Sequence, residues 1–176
     1  MNKYYQNFKS SPSPRQFVFE KAIDLLDKKP ANILEIGTIR DLSLQAKDGD
    51  GYSTLFWCEY VKKFGGSILI TDISQEAIRN CKIVTEDFVN EIDIRYIVED
   101  GYGYINDSFD LIYLDGSDDN NEMIKQFEKC NRSKSIILCD DANKGGKCDL
   151  LRIKYQDYEL FQVNWLHQMI MYHKIK

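Results

Sequence analysis

Residues 109–119 read FDLIYLDGSDD, a short apolar run that ends on a carboxylate and passes directly into a polar turn. The same pattern recurs at 67–72 (SILITD), 94–100 (IRYIVED) and 135–141 (SIILCDD). Apolar runs of this length are typical of strands buried on both faces of a parallel sheet. The pattern therefore predicts parallel strands, each with an acid at its carboxyl end.

Helical segments fill the intervals between these strands. We predict helices from Ser13-Pro14 to Lys29-Pro30, from Ser53-Thr54 to Gly65-Gly66, after the capping Ser74, and over 121–130. A further strand is predicted at 32–37, and residues 158–163 and 167–175 form two more, joined by the turn 164–166. So short a link makes an antiparallel hairpin. The fold class is therefore α/β: a Rossmann-like three-layer sandwich with a mostly parallel seven-stranded sheet and an antiparallel C-terminal hairpin strand.

Composition limits the class of protein. A chain of 176 residues predicts a single domain over 1–176, in which 1–12 is loose or folds over a site. A net charge of -5 argues against a nucleic-acid partner, and no apolar run approaches the ~20 residues of a membrane span. The five cysteines include no CxxC pair and the N-terminus has no apolar signal segment. We therefore expect free thiols in the cytoplasm.

The acids at the strand ends are the candidate functional groups. Ligands of open parallel sheets bind outside the carboxyl ends of the strands, where these side chains converge. A single acid after the second strand, Asp72, suits the two hydroxyls of a ribose. The alternative is that such acids cap helices or lie in solvated turns. The glycines at 37, 49 and 51 allow close backbone approach, but neither GxGxxG nor a P-loop is present. A nucleoside is therefore better supported than a diphosphate cofactor.

In these residues the chain resembles the class I S-adenosylmethionine-dependent methyltransferases, over nearly its whole length. Segments 33–38 (ILEIGT) and 51–55 (GYSTL) resemble the first motif of that family, 70–74 (ITDIS) the ribose-acid motif, and 109–117 the fourth-strand motif. The resemblance implies S-adenosylmethionine as cofactor, held by Glu35, Gly37, Thr38, Gly51, Ser53, Asp72, Ile73, Asp100, Gly101, Tyr102 and Asp115. For Glu35 an alternative remains open, namely that it fixes the loop without touching the cofactor.

A closer similarity is to metal-dependent O-methyltransferases, including catechol-type enzymes and the cephalosporin-hydroxylase-like and rhamnosyl O-methyltransferase-like group. It implies a divalent cation, Mg²⁺ or else Mn²⁺ or Ca²⁺, bound by Asp115, Asp140 and Asp141. Such a cation would acidify the hydroxyl of a small-molecule acceptor such as a sugar or a glycosylated metabolite. The alternative is that Asp140 caps the following turn and Asp141 is solvated.

Two departures from that group bear on catalysis. Residues 39–50 are inserted within the first motif, and we interpret them as a lid or acceptor-binding loop, with an ornamental surface loop as the alternative. Relatives often carry a histidine base where this chain has Asp118. The catalytic candidates are therefore Asp118, Asp115 at the reacting end, and His167, which is otherwise a packing residue.

Two alternatives to this prediction stay open. One is a metal-independent methyltransferase that acts on nitrogen or on a protein, and the other is a non-catalytic module that binds S-adenosylmethionine. A homodimer in which a second subunit closes the site is a separate expectation.

Overall fold

The computed structural model describes residues 2–10, 13–44, 52–164 and 167–173. Its helices are α1 Lys3–Ser10, α2 Gln16–Leu25, α3 Ser53–Phe64, α4 Gln75–Val84, α5 Asn120–Lys129 and α6 Asp149–Lys154. Short 3₁₀ helices cover Glu86–Phe88 and Gly101–Tyr104. Its strands are β1 Ala31–Ile36, β2 Gly66–Asp72, β3 Asp93–Val98, β4 Leu111–Leu114, β5 Ile136–Cys139, β6 Glu159–Asn164 and β7 His167–Tyr172.

The strands form one seven-stranded sheet in the order β3-β2-β1-β4-β5-β7-β6. Strands β1 to β5 pair in parallel, and β7 pairs antiparallel with both β5 and β6. The predicted fold class is thus confirmed. The order reverses between β1 and β4, so the crevice at which ligands bind in such sheets lies beside the ends of these two strands.

Alternation along the central strands produces the three layers. In β1, Ile33 packs into the apolar cluster beneath α2, α3 and α4, and Leu34 packs into the opposite cluster with α5 and α6. In β4, Leu111 and Tyr113 share the first cluster, and Ile112 the second. Because successive strand side chains point to opposite faces, both faces of the sheet must be covered.

The N-terminal part differs from the prediction. Residues 3–10 form α1, whose Tyr5 packs edge-on against Phe88 at a centroid distance of 5.2 Å. Helix α2 begins at Gln16 because Ser13 Oγ accepts the Arg15 N–H at 3.2 Å and closes a local turn. It ends well before Pro30, because Asp27 and the residue after it take up left-handed backbone angles.

Two smaller expectations can be compared with the structure. All five cysteines are buried free thiols, as predicted. No helix of the described segments combines the length and the apolar character that crossing a membrane requires.

Candidate active site

The predicted strand-end acids share one edge of the sheet. Asp72 closes β2, Asp100 follows β3, Asp115 follows β4, and Asp140 and Asp141 follow β5. Backbone hydrogen bonds hold the ends of the central strands side by side. The Gly37 N–H, for example, donates to the Thr71 carbonyl at 2.8 Å. Since the five strands are parallel and adjacent, the acids lie along a single line.

A cleft opens on the β3 side of this edge. Its lining residues come from the turns after four strands and from α5: Ile36, Gly37, Asp72, Ile73, Glu99, Asp100, Gly101, Gly116, Ser117, Glu122 and Gln126. Five predicted cofactor residues are among them, Gly37, Asp72, Ile73, Asp100 and Gly101. Predicted cofactor residues outside this lining are Glu35, Thr38, Ser53, Tyr102 and Asp115. Gly51 lies outside the described residues.

The floor of the cleft requires glycine at position 37. Its φ is +85°, and a Cβ there would lie 2.7 Å from the backbone of Asp115. At this φ, and with so little space, any residue other than glycine would require the backbone to shift. This turn therefore keeps the end of β1 in close contact with the end of β4.

Backbone hydrogen bonds orient the two aspartates of the cleft. Asp72 accepts the N–H of Thr38 at 3.1 Å and that of Ser74 at 2.7 Å. Asp100 accepts the N–H of Tyr102 at 2.9 Å and caps the 3₁₀ helix that follows. Capping therefore occurs, but it does not exhaust these carboxylates, because each oxygen can accept two hydrogen bonds.

Glu35 lies beneath the site and is fully buried. It accepts hydrogen bonds from the hydroxyls of Ser53 and, at 2.5 Å, Thr54. Burial raises the pKa of Glu35 to about 8, although these hydrogen bonds oppose the shift. These contacts fix the first turn of α3, which agrees with a structural role for Glu35.

Gln126 is a cleft residue that the sequence analysis did not identify. It is 5% exposed, and its Oε1 has no hydrogen-bond partner among the described residues. A buried amide oxygen without a partner is rare and costly in proteins. A donor group on a bound ligand would satisfy this oxygen.

On the β5 side the acids are paired with cations. The buried Lys147 ammonium donates to the Asp115 carboxylate and, at 3.0 Å, to the Asp115 backbone carbonyl. Burial alone would lower the pKa of Lys147, but Asp115 and Asp140 raise it above its usual value. Burial and the charge of Asp140 raise the pKa of Asp115 to about 7, although Lys147 opposes the shift.

Asp140 is 2% exposed and has two cationic neighbours. Arg15 contacts its Oδ2 through Nη2 at 3.2 Å, and His167 Nε2 lies 2.6 Å from its Oδ1. His167 Nδ1 is 3.1 Å from Asp141. Burial disfavours the charged forms of both Asp140 and His167. His167 and Arg15 nevertheless hold the pKa of Asp140 well below its usual range. Asp140 and Asp141 in turn raise the pKa of His167 to about 9.

The predicted metal ligands are therefore close together but already neutralised. Ligand atoms of Asp140, Asp141 and His167 lie within 4.8 Å of one another, with His167 in the place predicted for Asp115. Three carboxyl groups, of which Asp115 titrates near neutrality, face three cationic groups, so no negative charge is left for a divalent cation to compensate. As arranged, this donor set does not fit a divalent cation.

The structure separates the three candidate bases. Asp118 is exposed in the turn before α5, so it lacks the burial that a weak base requires here. His167 is held in its charged form by two carboxylates and has no free nitrogen with which to accept a proton. Asp115 combines partial burial with a pKa near neutrality, which is the property of a general base.

The described part of the insertion packs onto the fold. Ile39 is 2% exposed in the core, and the Arg40 carbonyl accepts from Asn80 of α4 at 2.8 Å. The Leu44 carbonyl accepts from Asn7 of α1 at 2.6 Å. Residues 45–50 lie outside the described residues, so the lid interpretation stays a prediction.

Arg15, Lys147 and Gln126 were all missed in the sequence. Arg15 lies 125 positions from its partner Asp140, and nothing local marks it. Lys147 follows Gly145-Gly146 in the loop after β5, where a basic residue could have been noticed as close to the acids. Gln126 shares the buried face of α5 with Met123 and Phe127, and a polar residue within an apolar stripe is a readable signal.

Comparison with known proteins shows similarity in structure only. No protein-family profile matches the chain, and no curated protein does. A methyltransferase from Geobacter sulfurreducens is 12% identical, with a TM-score of 0.61 over 98% of this chain and 86% of its own. An O-methyltransferase from Bacillus cereus, solved in complex with SAH, is 16% identical, with a TM-score of 0.60 over 98% and 89%.

A third solved structure agrees with these two. A SAM-dependent O-methyltransferase from Thermotoga maritima is 10% identical, with a TM-score of 0.65 over 98% of this chain and 70% of its own. The chain thus has the fold of solved S-adenosylmethionine-dependent methyltransferases.

Proposed function

We propose that the chain is an S-adenosylmethionine-dependent methyltransferase that methylates a hydroxyl group of a small acceptor. The observation that carries this proposal is the cleft lined by Asp72, Asp100 and Gln126, whose buried Oε1 has no hydrogen-bond partner among the described residues. The general-base candidate Asp115 directly precedes Gly116, which also lines this cleft. Its place in a fold shared with solved O-methyltransferases supports the same function.

The residues of the cleft fit the parts of this cofactor. Asp72 retains acceptor capacity for two ribose hydroxyls, since its present bonds use one lone pair on each oxygen. Gln126 Oε1 and the Asp100 carboxylate would accept from the amino group of an adenine. The turn at Gly37 would lie beneath the methionine part.

The chain's own chemical task is modest. S-adenosylmethionine supplies a methyl group that is already activated by a sulfonium, so the protein must align the acceptor and remove its proton. Asp115 is present in both protonation states near neutral pH and would take that proton. Lys147 would hold Asp115 in place through its two hydrogen bonds.

The finer predictions from the sequence stay predictions. These are the sugar or glycosylated acceptor, a cytoplasmic location and a homodimer that closes the site. The same applies to metal assistance, and because the donor set does not fit a divalent cation, no step of the proposed chemistry uses one.

The test is incubation of the protein with S-adenosylmethionine and a panel of catechols, simple phenols and glycosides, with SAH formation followed by mass spectrometry. We expect a methyl ether on one acceptor class. Asp115→Asn should lower the rate by roughly 10²–10⁴-fold, the usual contribution of a general base, and Asp118→Asn much less. Methylation confined to amines or proteins, or no SAH from any acceptor, would contradict the proposal.

A further inference from the structure

The arrangement of charges around Asp115, Asp140 and Asp141 carries an inference that deepens the proposed function and rests on it. Three elements distant in sequence each bring one cation to this point: Arg15 from the N-terminal end of α2, Lys147 from the loop after β5, and His167 from β7. The exposed fraction of the Arg15 side chain is 7% and that of Lys147 is 5%. Buried cations are retained in proteins when they are paired, and each of these has a carboxylate partner.

Lys147 occupies the centre of the group. Its Nζ bonds the carboxylate and the backbone carbonyl of Asp115 and lies 3.6 Å from Asp141 Oδ2. It thus bridges the acid after β4 and an acid after β5, which is the position predicted for a metal ion. An ammonium has three N–H donors, and two of them are used by Asp115. No third hydrogen bond of this ammonium is present among the described residues, since Asp141 Oδ2 lies just beyond bonding distance.

His167 completes the balance on the other side. A neutral imidazole has one N–H, but both ring nitrogens here face carboxylates, at 2.6 Å from Asp140 and 3.1 Å from Asp141. The Arg15 Nε atom also lies 3.3 Å from His167 Nε2, but this contact is longer than either contact of the ring with a carboxylate. The ring is therefore a cation, and a cation does not ligate a metal.

A divalent ion would have to displace Lys147 and enter between Arg15 and His167. Hard cations take oxygen ligands, and all three carboxylates present are already engaged with protein cations. We propose that the Lys147 ammonium stands in place of a divalent cation in this chain, and that its remaining N–H holds the oxygen of the acceptor during a metal-free methyl transfer. Lys147 would thereby stabilise the negative charge that develops as Asp115 takes the proton.

The experiment uses Mn²⁺ as the probe and the full chain after treatment with a chelator. Bound Mn²⁺ is measured from the loss of its free electron paramagnetic resonance signal, for the wild type, Lys147→Met, Lys147→Arg and Lys144→Met. Lys144 is the matched control, because it is an exposed lysine of the same loop. Wild type, Lys147→Arg and Lys144→Met should bind no Mn²⁺. Lys147→Met, which leaves the carboxylates in excess, should bind Mn²⁺ and so reduce the free signal.

One result would overturn the inference: Mn²⁺ bound by the wild type and lost in Asp140→Asn or Asp141→Asn. If Lys147→Met fails to fold, the wild-type titration decides alone, because binding or its absence there gives the answer. A parallel titration with SAH reads the proposed function separately. A chain that binds neither SAH nor Mn²⁺ refutes the methyltransferase proposal and with it the role of Lys147 toward an acceptor, but supports the replacement of a divalent cation by Lys147.

Discussion

The acids on the two sides of the carboxyl edge look alike in the sequence and are held in different ways. On the β3 side, Asp72 and Asp100 accept backbone N–H groups and face an open cleft. On the β5 side, Asp140 is buried between Arg15 and His167. The first arrangement leaves acceptor capacity for a ligand, and the second uses it within the protein. A carboxylate at a strand end is therefore not by itself a ligand site, since its neighbours decide what it can bind.

The largest contrast between the two sides should be in stability. Asp140→Asn would leave Arg15 buried without its anion, and breaking a buried ion pair in this way costs about 3–5 kcal/mol. Asp100→Asn, in the exposed cap of the 3₁₀ helix, should cost less than about 0.5 kcal/mol, because asparagine caps about as well as aspartate. Urea unfolding of both variants measures the difference. Equal costs would show that the two sides are held alike.

The opposite contrast should appear in ligand binding. Asp72→Asn should weaken SAH binding by roughly 10- to 100-fold, because hydrogen bonds to a charged group contribute about 1.5–3 kcal/mol. Asp93→Asn is the control, since Asp93 is an exposed acid at the other end of the sheet. Isothermal titration calorimetry gives both affinities. Unchanged affinity in the Asp72 variant would remove the ribose assignment.

Glu35 sharpens the comparison, because it is as buried as Asp140 but accepts hydrogen bonds from the hydroxyls of Ser53 and Thr54 and is paired with no cation among the described residues. Its pKa is raised to about 8, so the folded chain keeps a proton that the unfolded chain loses near pH ~4.3. The stabilisation that this bound proton provides is fully present below pH ~4.3 and is lost as the pH rises through about 8. Within this window the free energy of unfolding should fall by at most about 1.4 kcal/mol per pH unit.

Glu35→Gln should remove this dependence and retain a hydrogen-bonding side chain. The measurement is urea unfolding of wild type and variant across the same pH window. Asp115 and His167 titrate in both proteins, so the difference between the two curves isolates Glu35. Parallel curves would mean that the Glu35 carboxyl ionises normally despite its burial.

The smallest expected effect concerns Gln126. Gln126→Leu should weaken SAH binding by roughly 2- to 10-fold, the contribution of one neutral hydrogen bond. It should also reduce the preference for SAH over S-inosylhomocysteine, in which an oxo group replaces the adenine amino group, while Asp100 retains part of it. A variant that keeps the full preference would remove Gln126 from the adenine site.

Much of the fold could be read from the sequence because its signals are local. The runs at 67–72 and 135–139 alternate with helical segments, and the short link at 164–166 permits only a hairpin. Helix α1 was missed because the aromatic residues Tyr4 and Tyr5 are buried by tertiary contacts, with little signal in a polar octapeptide. Helix α2 ends earlier than predicted, because the backbone of Asp27 leaves the right-handed helical region.

The candidate site could be predicted only on its cleft side. Asp72 and Gly37 could be predicted because they lie in recognisable motifs and because their roles depend on local backbone geometry. The cations on the other side come from segments that meet only in the folded chain, such as Arg15 and His167, which are 152 positions apart. Patterns of acids in sequence predict convergence, but they do not show which convergent acids are already neutralised.

The most direct test of the central claim is a crystal structure of the chain grown with saturating SAH. The account predicts SAH in the cleft, with its ribose hydroxyls on Asp72, its adenine amino group at Gln126 and its sulfur toward Asp115. An empty cleft under these conditions, or SAH bound at another surface, would contradict the assignment of this chain as a methyltransferase.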